Sequence, residues 1–238
     1  MTFRERFVFV FIEDDRWKRH LLTGLGRTLL VTLGALAIGV AIGLLISIVR
    51  VTHDKQIGQM RRGVLRFLLR FFNRISIIYL TVIRGTPVVV QLLIAFFVIF
   101  ISSNNKMMVA IITFGVNSGA YVAEIIRGGI MSIDSGQFEA GRSLGFGYIR
   151  TMWFIITPQA FKNILPSLAN EFIVLLKETS IAGYIGFEDL AKGGDIIRGR
   201  TFDAFLPLIA VALVYLVLVI FFTWLTGKLE RRLRSSDN

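Results

Sequence analysis

The sequence predicts an all-α membrane protein with five transmembrane helices. Three observations carry that prediction. The 238 residues are 54% hydrophobic and only 18% charged, their mean hydropathy is +0.68, and long uncharged stretches recur along the chain. A soluble domain carries roughly 25% charged residues, so apolar side chains stand here where charges normally do. The absence of Cys excludes disulfides, iron–sulfur clusters, thiolate zinc and cysteine nucleophiles. Two His, His20 and His53, argue against a histidine-rich metal site. The net charge of +11 fits a nucleic acid or a membrane surface until the cations are placed.

An uncharged run of about 20 residues crosses the hydrocarbon core as a helix. Residues 1–20 read as an external or interfacial segment. The apolar run Phe7–Ile12 meets Glu13, Asp14 and Asp15 rather than a small-residue cleavage site, so no cleavable signal is expected. The first span covers about 21–49. Its Ala35, Gly39 and Gly43, four residues apart, allow close helix approach, with internal packing the expectation and a contact between copies the alternative.

The second span, about 70–101, is interrupted by Arg84-Gly85-Thr86-Pro87 and then carries Gln91. Proline removes a backbone donor and clashes with the preceding turn, and such breaks survive at membrane depth where the freed backbone meets protein or water. Arg84 either snorkels to headgroups or faces a carboxylate or a pathway. The third span, about 107–130, puts Asn117, Tyr121, Glu124 and then Arg127 or Gly128 on one face. That stripe reads as a cavity wall or a polar seam, with a Glu124–Arg127 pair at the membrane edge as the plainer account. The fourth, about 163–187, contains Glu171, Lys177 and Glu178 and is the weakest of the five. The fifth covers about 204–227, and a tail of residues 233–238 follows.

An odd number of spans places the termini on opposite sides, and the cations choose which. Seven lie in the first connection, four in the loop after the third span and four in the tail, fifteen in all, against ten on the other side. The C-terminus is therefore expected in the cytoplasm and the N-terminus outside. The positive charge becomes a topology and headgroup signal, and nucleic-acid binding loses its support.

The segment 131–166 is the most informative. Asp134 with Gln137 has the form of a capping box, and Gly145 suits a left-handed helix end. A second helix then carries Ile149, Met152, Trp153 and Ile156 on one face before Pro158 stops or kinks it. Periodicity leaves two readings of that face open, a docking surface or interfacial packing.

Glu139-Ala140-Gly141, then three residues, Gly145, nine residues and Ile155 resemble the EAA loop of ABC importer permeases. Two positions depart from the pattern: Gly141 stands where Ala is usual, and Thr157 precedes Pro158 where Leu is usual. Over 83–91, 117–129, 136–166 and 177–180 the chain is similar to the polar amino acid permeases of histidine, glutamine, glutamate and arginine importers. The resemblance implies the type I ABC importer permease arrangement in a bacterial inner membrane, with a transmembrane domain over 21–232. Two permease subunits, identical or paired, would stand on an ATPase dimer and receive an amino acid from a solute-binding protein. Glu139, Ala140, Gly141 and Gly145 would form the coupling helix that docks in the ATPase.

No Walker loop occurs in the sequence, so ATP and Mg are expected at the partner ATPase, with no cofactor and no catalytic residue here. Arg84, Thr86, Gln91, Asn117, Tyr121 and Glu124 are the expected substrate-pathway residues. A permease for another small solute and a passive channel are the competing readings, the latter giving no reason for the two-helix loop.

Overall fold

The computed structural model describes residues 3–10 and 16–234. The end of the early apolar run, the acidic triplet after it and residues 235–238 of the tail lie outside the described residues. The described residues form ten α-helices and no strand: α1 Phe3–Val8, α2 Arg16–Gln56, α3 Val64–Gly85, α4 Val88–Ile94, α5 Lys106–Met131, α6 Ser135–Ser143, α7 Tyr148–Thr151, α8 Thr157–Glu178, α9 Leu190–Thr201 and α10 Phe205–Arg234.

α2, α5 and α10 are each long and apolar enough to cross a membrane, and α3 with α4 passes as one bent pair. α8 is outside that group, because Lys162, Glu171, Lys177 and Glu178 all fall within its 22 residues. At 41 residues, α2 is about 60 Å long and runs well past the expected 21–49. The break at Arg84–Pro87 is sharper than a loosened helix: α3 and α4 are bent by 105°. Pro87 forces this by excluding the helical conformation from the residue before it, and Thr86 is extended at φ −120°, ψ 144°.

Of the two expectations for Pro158, a stop or a kink, the stop is not what the structure shows. A π-helical turn, Met152–Ile156, leads from α7 directly into α8, with Pro158 in the first turn of α8. The widened turn just before it relieves the ring's clash with the preceding carbonyls and lets the helical run continue past the proline. The same turn splits the predicted apolar face. Ile156 is fully buried and Met152 packs beside it, whereas Ile149 and Trp153 are 80% and 70% exposed.

The chain divides into two compact units. The first comprises Met1–Ala37, Pro87–Gly115 and Phe172–Trp224. One of its cores joins Val31 and Ala35 of α2 to Leu92, Ala110, Phe114 and Leu175; another joins Leu21 to Leu190, Ile197, Leu206 and Val211. Gly24 lets α2 touch backbone: a Cβ there would lie 2.7 Å from the Asp189 carbonyl oxygen. Beside it the Thr28 hydroxyl accepts from the Leu190 amide at 3.1 Å.

The second unit comprises Ile38–Thr86, Val116–Glu171 and Leu225–Asn238. Its main core is Val51, Val122, Ile126, Ile130, Ile156, Ala160 and Ile164. Gly39 and Gly43 lie against α5, where added Cβ atoms would come within 3.0 Å of Ser118 and 2.6 Å of Val122. These two glycines therefore serve packing inside the chain, as expected.

Candidate functional site

Three of the expected pathway residues come together in the second unit. The Arg84 guanidinium, at the C-terminal end of α3, lies 5.7 Å from the Tyr121 ring centroid and 4.0 Å from Glu124 Oε1. Arg84 is thus turned to a carboxylate and an aromatic face. The other oxygen of Glu124 accepts from Arg127 Nε at 3.3 Å, and Arg127 reaches Asp54 Oδ2 at 3.4 Å. Positive and negative groups therefore alternate from α3 through α5 to the end of α2. The Glu124–Arg127 pair expected at the edge exists, but Glu124 also serves Arg84.

A cavity of about 380 Å³ opens at this place, lined by Arg50, Thr81, Arg84 and Glu124 with the apolar Ile77 and Leu80. Arg50 donates to Asn73 Oδ1 at 3.1 Å, while its Nε is buried with no hydrogen-bond partner among the described residues. The Tyr79 hydroxyl, donating to the Val116 carbonyl, ties α3 to α5 and fixes the cavity walls. Half-exposed ion pairs contribute little to stability, so charges assembled around open space speak for ligand chemistry more than for folding.

The remaining pathway residues are not gathered there. The Thr86 hydroxyl donates back to the Val82 carbonyl at 2.8 Å, satisfying a backbone group freed by the break. Asn117 is buried on α5. Gln91 lies in the first unit, on α4.

Two groups went unanticipated. Arg50 was readable only as one topology cation. Glu171, 9% exposed, accepts from the Ser118 hydroxyl at 2.8 Å; a carboxylate inside an apolar stretch was its available signal. No group of three or more metal-ligating side chains occurs among the described residues.

The 131–166 segment folds into the predicted glycine-turned pair of helices. Asp134 caps α6 by accepting from the Gly136 amide at 2.6 Å. Gln137 does not complete a reciprocal box; its side-chain oxygen accepts from Gln159 at 3.2 Å. Gly145 has φ 78°, and the Gly145 and Phe146 amides donate to the Arg142 and Gly141 carbonyls at 2.9 and 3.0 Å. That double closure is the Schellman arrangement. Glu139 and Ala140 are exposed.

Gly141 is buried, and a Cβ there would fall 2.7 Å from Thr151 Cγ2 and 3.1 Å from Ile155. The Gly in place of the usual Ala thus has a local cause: Thr151 occupies the space. Burial pushes the Tyr148 hydroxyl above its usual pKa of 10, against a hydrogen bond with Thr52.

Long apolar helices, one pair bent at a break beside a charged cavity and one helix followed by a glycine-turned helical pair, are the features of a membrane permease subunit. The chain belongs to the family described as binding-protein-dependent transport system inner membrane component, which matches residues 58–235. It is 36% identical over 220 residues to the arginine transport system permease protein ArtQ of Bacillus subtilis (strain 168), covering 91% of this chain and 94% of that one. It is also 36% identical over 216 residues to a putative glutamine transport system permease protein, GlnP, of Rickettsia prowazekii (strain Madrid E), covering 90% and 92%. Among solved structures, an amino acid ABC transporter crystallised with histidines superposes with a TM-score of 0.80 at 39% identity, covering 91% of this chain and 95% of that chain.

Proposed function

We propose that this chain is the permease subunit of an ATP-driven importer for a polar or charged amino acid. The observation that carries the reading is the Arg84–Tyr121–Glu124 cluster, where Arg84 stands over the Tyr121 ring and lines, with Arg50 and the Glu124 carboxylate, the same 380 Å³ cavity. A zwitterion needs that pairing: a cation for its carboxylate, and an acceptor with an aromatic face for its ammonium. At 4.0 Å, Arg84 and Glu124 are held loosely enough to exchange each other for substrate.

In this reading α8 is the fourth of five crossings, the N-terminus is external and the C-terminus cytoplasmic. Two such subunits, identical or paired, stand on an ATPase dimer that binds and hydrolyses Mg-ATP, and an extracytoplasmic solute-binding protein delivers the amino acid. Glu139, Ala140, Gly141 and Gly145 form the docking end of a lever. Gly141 leaves no room for even a Cβ between α6 and the side chains of Thr151 and Ile155, so displacement of α6 passes into the helical run leading to α8. Rocking of the attached spans alternates access to the cavity.

Co-reconstitution with the ATPase and the solute-binding protein, followed by uptake of a radiolabelled amino-acid panel, tests this. Uptake of one or a few polar amino acids, dependent on ATP and Mg, is expected. Gly145→Val, which sets a β-branched residue at positive φ, should abolish uptake with membrane insertion intact. Flux that runs without ATP would make the chain a passive channel.

A further inference from the structure

A groove of about 1180 Å³ lies in the second unit between the C-terminal half of α2 and residues 147–168. Its walls include Leu44, Ile48 and Val51 on one side and Trp153, Phe161 and Ile164 on the other. The volume exceeds the roughly 300–1,000 Å³ of a typical small-molecule pocket, and the lining is almost wholly hydrocarbon. None of Glu139–Gly145 contributes to it.

One part of the lining is polar and lacks any acid. Thr52, Gln56, Tyr148 and Arg150 are there, with no Asp or Glu anywhere in the groove. Arg150 is exposed and has no hydrogen-bond or ion-pair partner among the described residues. Met60 also lines the groove, and its carbonyl holds Arg66 Nη1 at 3.1 Å, so a second guanidinium stands nearby.

We propose that this groove binds an anionic phospholipid of the surrounding bilayer, with its acyl chains along α2 and its phosphate on Arg150. Hydrocarbon alone would accept any lipid tail, so selectivity must come from the polar part. A guanidinium fork matches phosphate oxygens, and basic pockets between membrane helices recruit anionic headgroups. A protein partner presenting carboxylates is the weaker fit, because the lining offers one free cation and otherwise a face suited to hydrocarbon.

Trp153 is a built-in reporter. The full-length chain with Trp17→Phe and Trp224→Phe retains it as the one indole, since the sequence holds three Trp. Reconstituted into vesicles of phosphatidylcholine with a minor fraction of phosphatidylglycerol, it is read by bromine quenching with one lipid or the other brominated. Brominated phosphatidylglycerol should quench more at equal mole fraction, by roughly the fivefold preference one membrane-surface cation confers. Arg150→Gln should equalise the two lipids, and Arg150→Lys should keep most of the preference.

Equal quenching by both lipids in the parent chain would overturn the proposal, as would a preference unchanged in Arg150→Gln. Quenching by neither lipid would also overturn it, placing protein, such as a second copy of the chain, over the groove.

Discussion

The two units use the same kinds of side chain for opposite purposes. In the first, polar groups close the structure. Glu188 is held by His20 and by Arg27 at 2.8 Å, and Asp195 lies between Lys192 and Arg198. Asp189 and Asp203 cap the helices that follow them. In the second unit, charges surround open space: Arg84 meets Glu124 only at 4.0 Å beside a cavity, and Arg150 meets no partner among the described residues. Satisfied polar groups make scaffold, whereas loosely paired ones leave interaction energy for a ligand. Substitutions at the close contacts and buried polar groups of the first unit should therefore change folding stability, and those at the second unit's charges should spare it.

The largest effect on stability is expected at Gly24. Its hypothetical Cβ meets only backbone, the Asp189 carbonyl and Leu190 Cα at 2.7–2.9 Å, which no rotamer change can relieve. Gly24→Ala should cost about 3 kcal/mol or more and lower the yield of folded chain in detergent. A Cβ added at Gly26, two residues on in α2, would meet nothing within 4 Å beyond its own helix backbone. Gly26→Ala should be neutral or gain up to about 1 kcal/mol from helix propensity, as thermal unfolding of the pair would show.

Next comes Asp189, fully buried at the start of α9. Burial raises its pKa from 3.8 to about 6, against hydrogen bonds from the Lys192 and neighbouring amides and the Lys192 charge. Its folded pKa exceeds its unfolded one, so its stabilising contribution is complete below about pH 3.8 and is lost as pH rises through about 6. Asn keeps the capping oxygen without the charge. Asp189→Asn should therefore raise stability at neutral pH, by at most about 3 kcal/mol, and cancel this residue's part of the decline between pH 4 and 6. Glu188 titrates the other way, lowered chiefly by its His20 hydrogen bond and then by Arg27. The test is thus the difference between variant and parent melting curves across pH.

Most of the helical architecture was legible because membrane burial writes itself into composition: α2, α5 and α10 follow from uncharged runs. The Gly145 turn was legible because positive φ leaves few alternatives to glycine. What stayed hidden depends on partners remote in sequence. Pro87 marks the break, yet nothing in the sequence gives the 105° between α3 and α4. Ile149 and Trp153 separated from Met152 and Ile156 because a π-helical turn shifted the periodicity, and nothing in the spacing signals that turn. Arg50 could not be tied to Arg84 and Glu124 because α2, α3 and α5 meet only in the fold.

A smaller effect belongs to Gly141, where the clash is with the Thr151 side chain rather than backbone. Thr151 Oγ1 is buried without a hydrogen-bond partner among the described residues, so truncating that side chain removes an unsatisfied group along with the obstruction. Gly141→Ala should cost about 1–2 kcal/mol. Thr151→Ala in the same chain should recover most of it, giving a clear coupling energy in a double-mutant cycle. Additive losses would mean that Thr151 is not what selects glycine here.

The smallest effect on stability, and the most telling for the comparison, is expected at Glu124. Its partners Arg84 and Arg127 are 46% and 29% exposed at the side chain and lie 4.0 and 3.3 Å away. Pairs this accessible contribute about 0–1 kcal/mol, and Gln retains an oxygen acceptor and nearly the same volume. Glu124→Gln should thus melt within about 1 kcal/mol of the parent while losing the negative charge that an ammonium requires. In reconstituted transport the loss should appear mainly as a raised KM for the amino acid, because ground-state binding is what has been removed. Unchanged uptake would take Glu124 out of the pathway and leave the alternating charges of α2, α3 and α5 as a structural seam. A large fall in melting temperature would put Glu124 with the first unit's carboxylates, as scaffold, and the contrast between the two units would not extend to this residue.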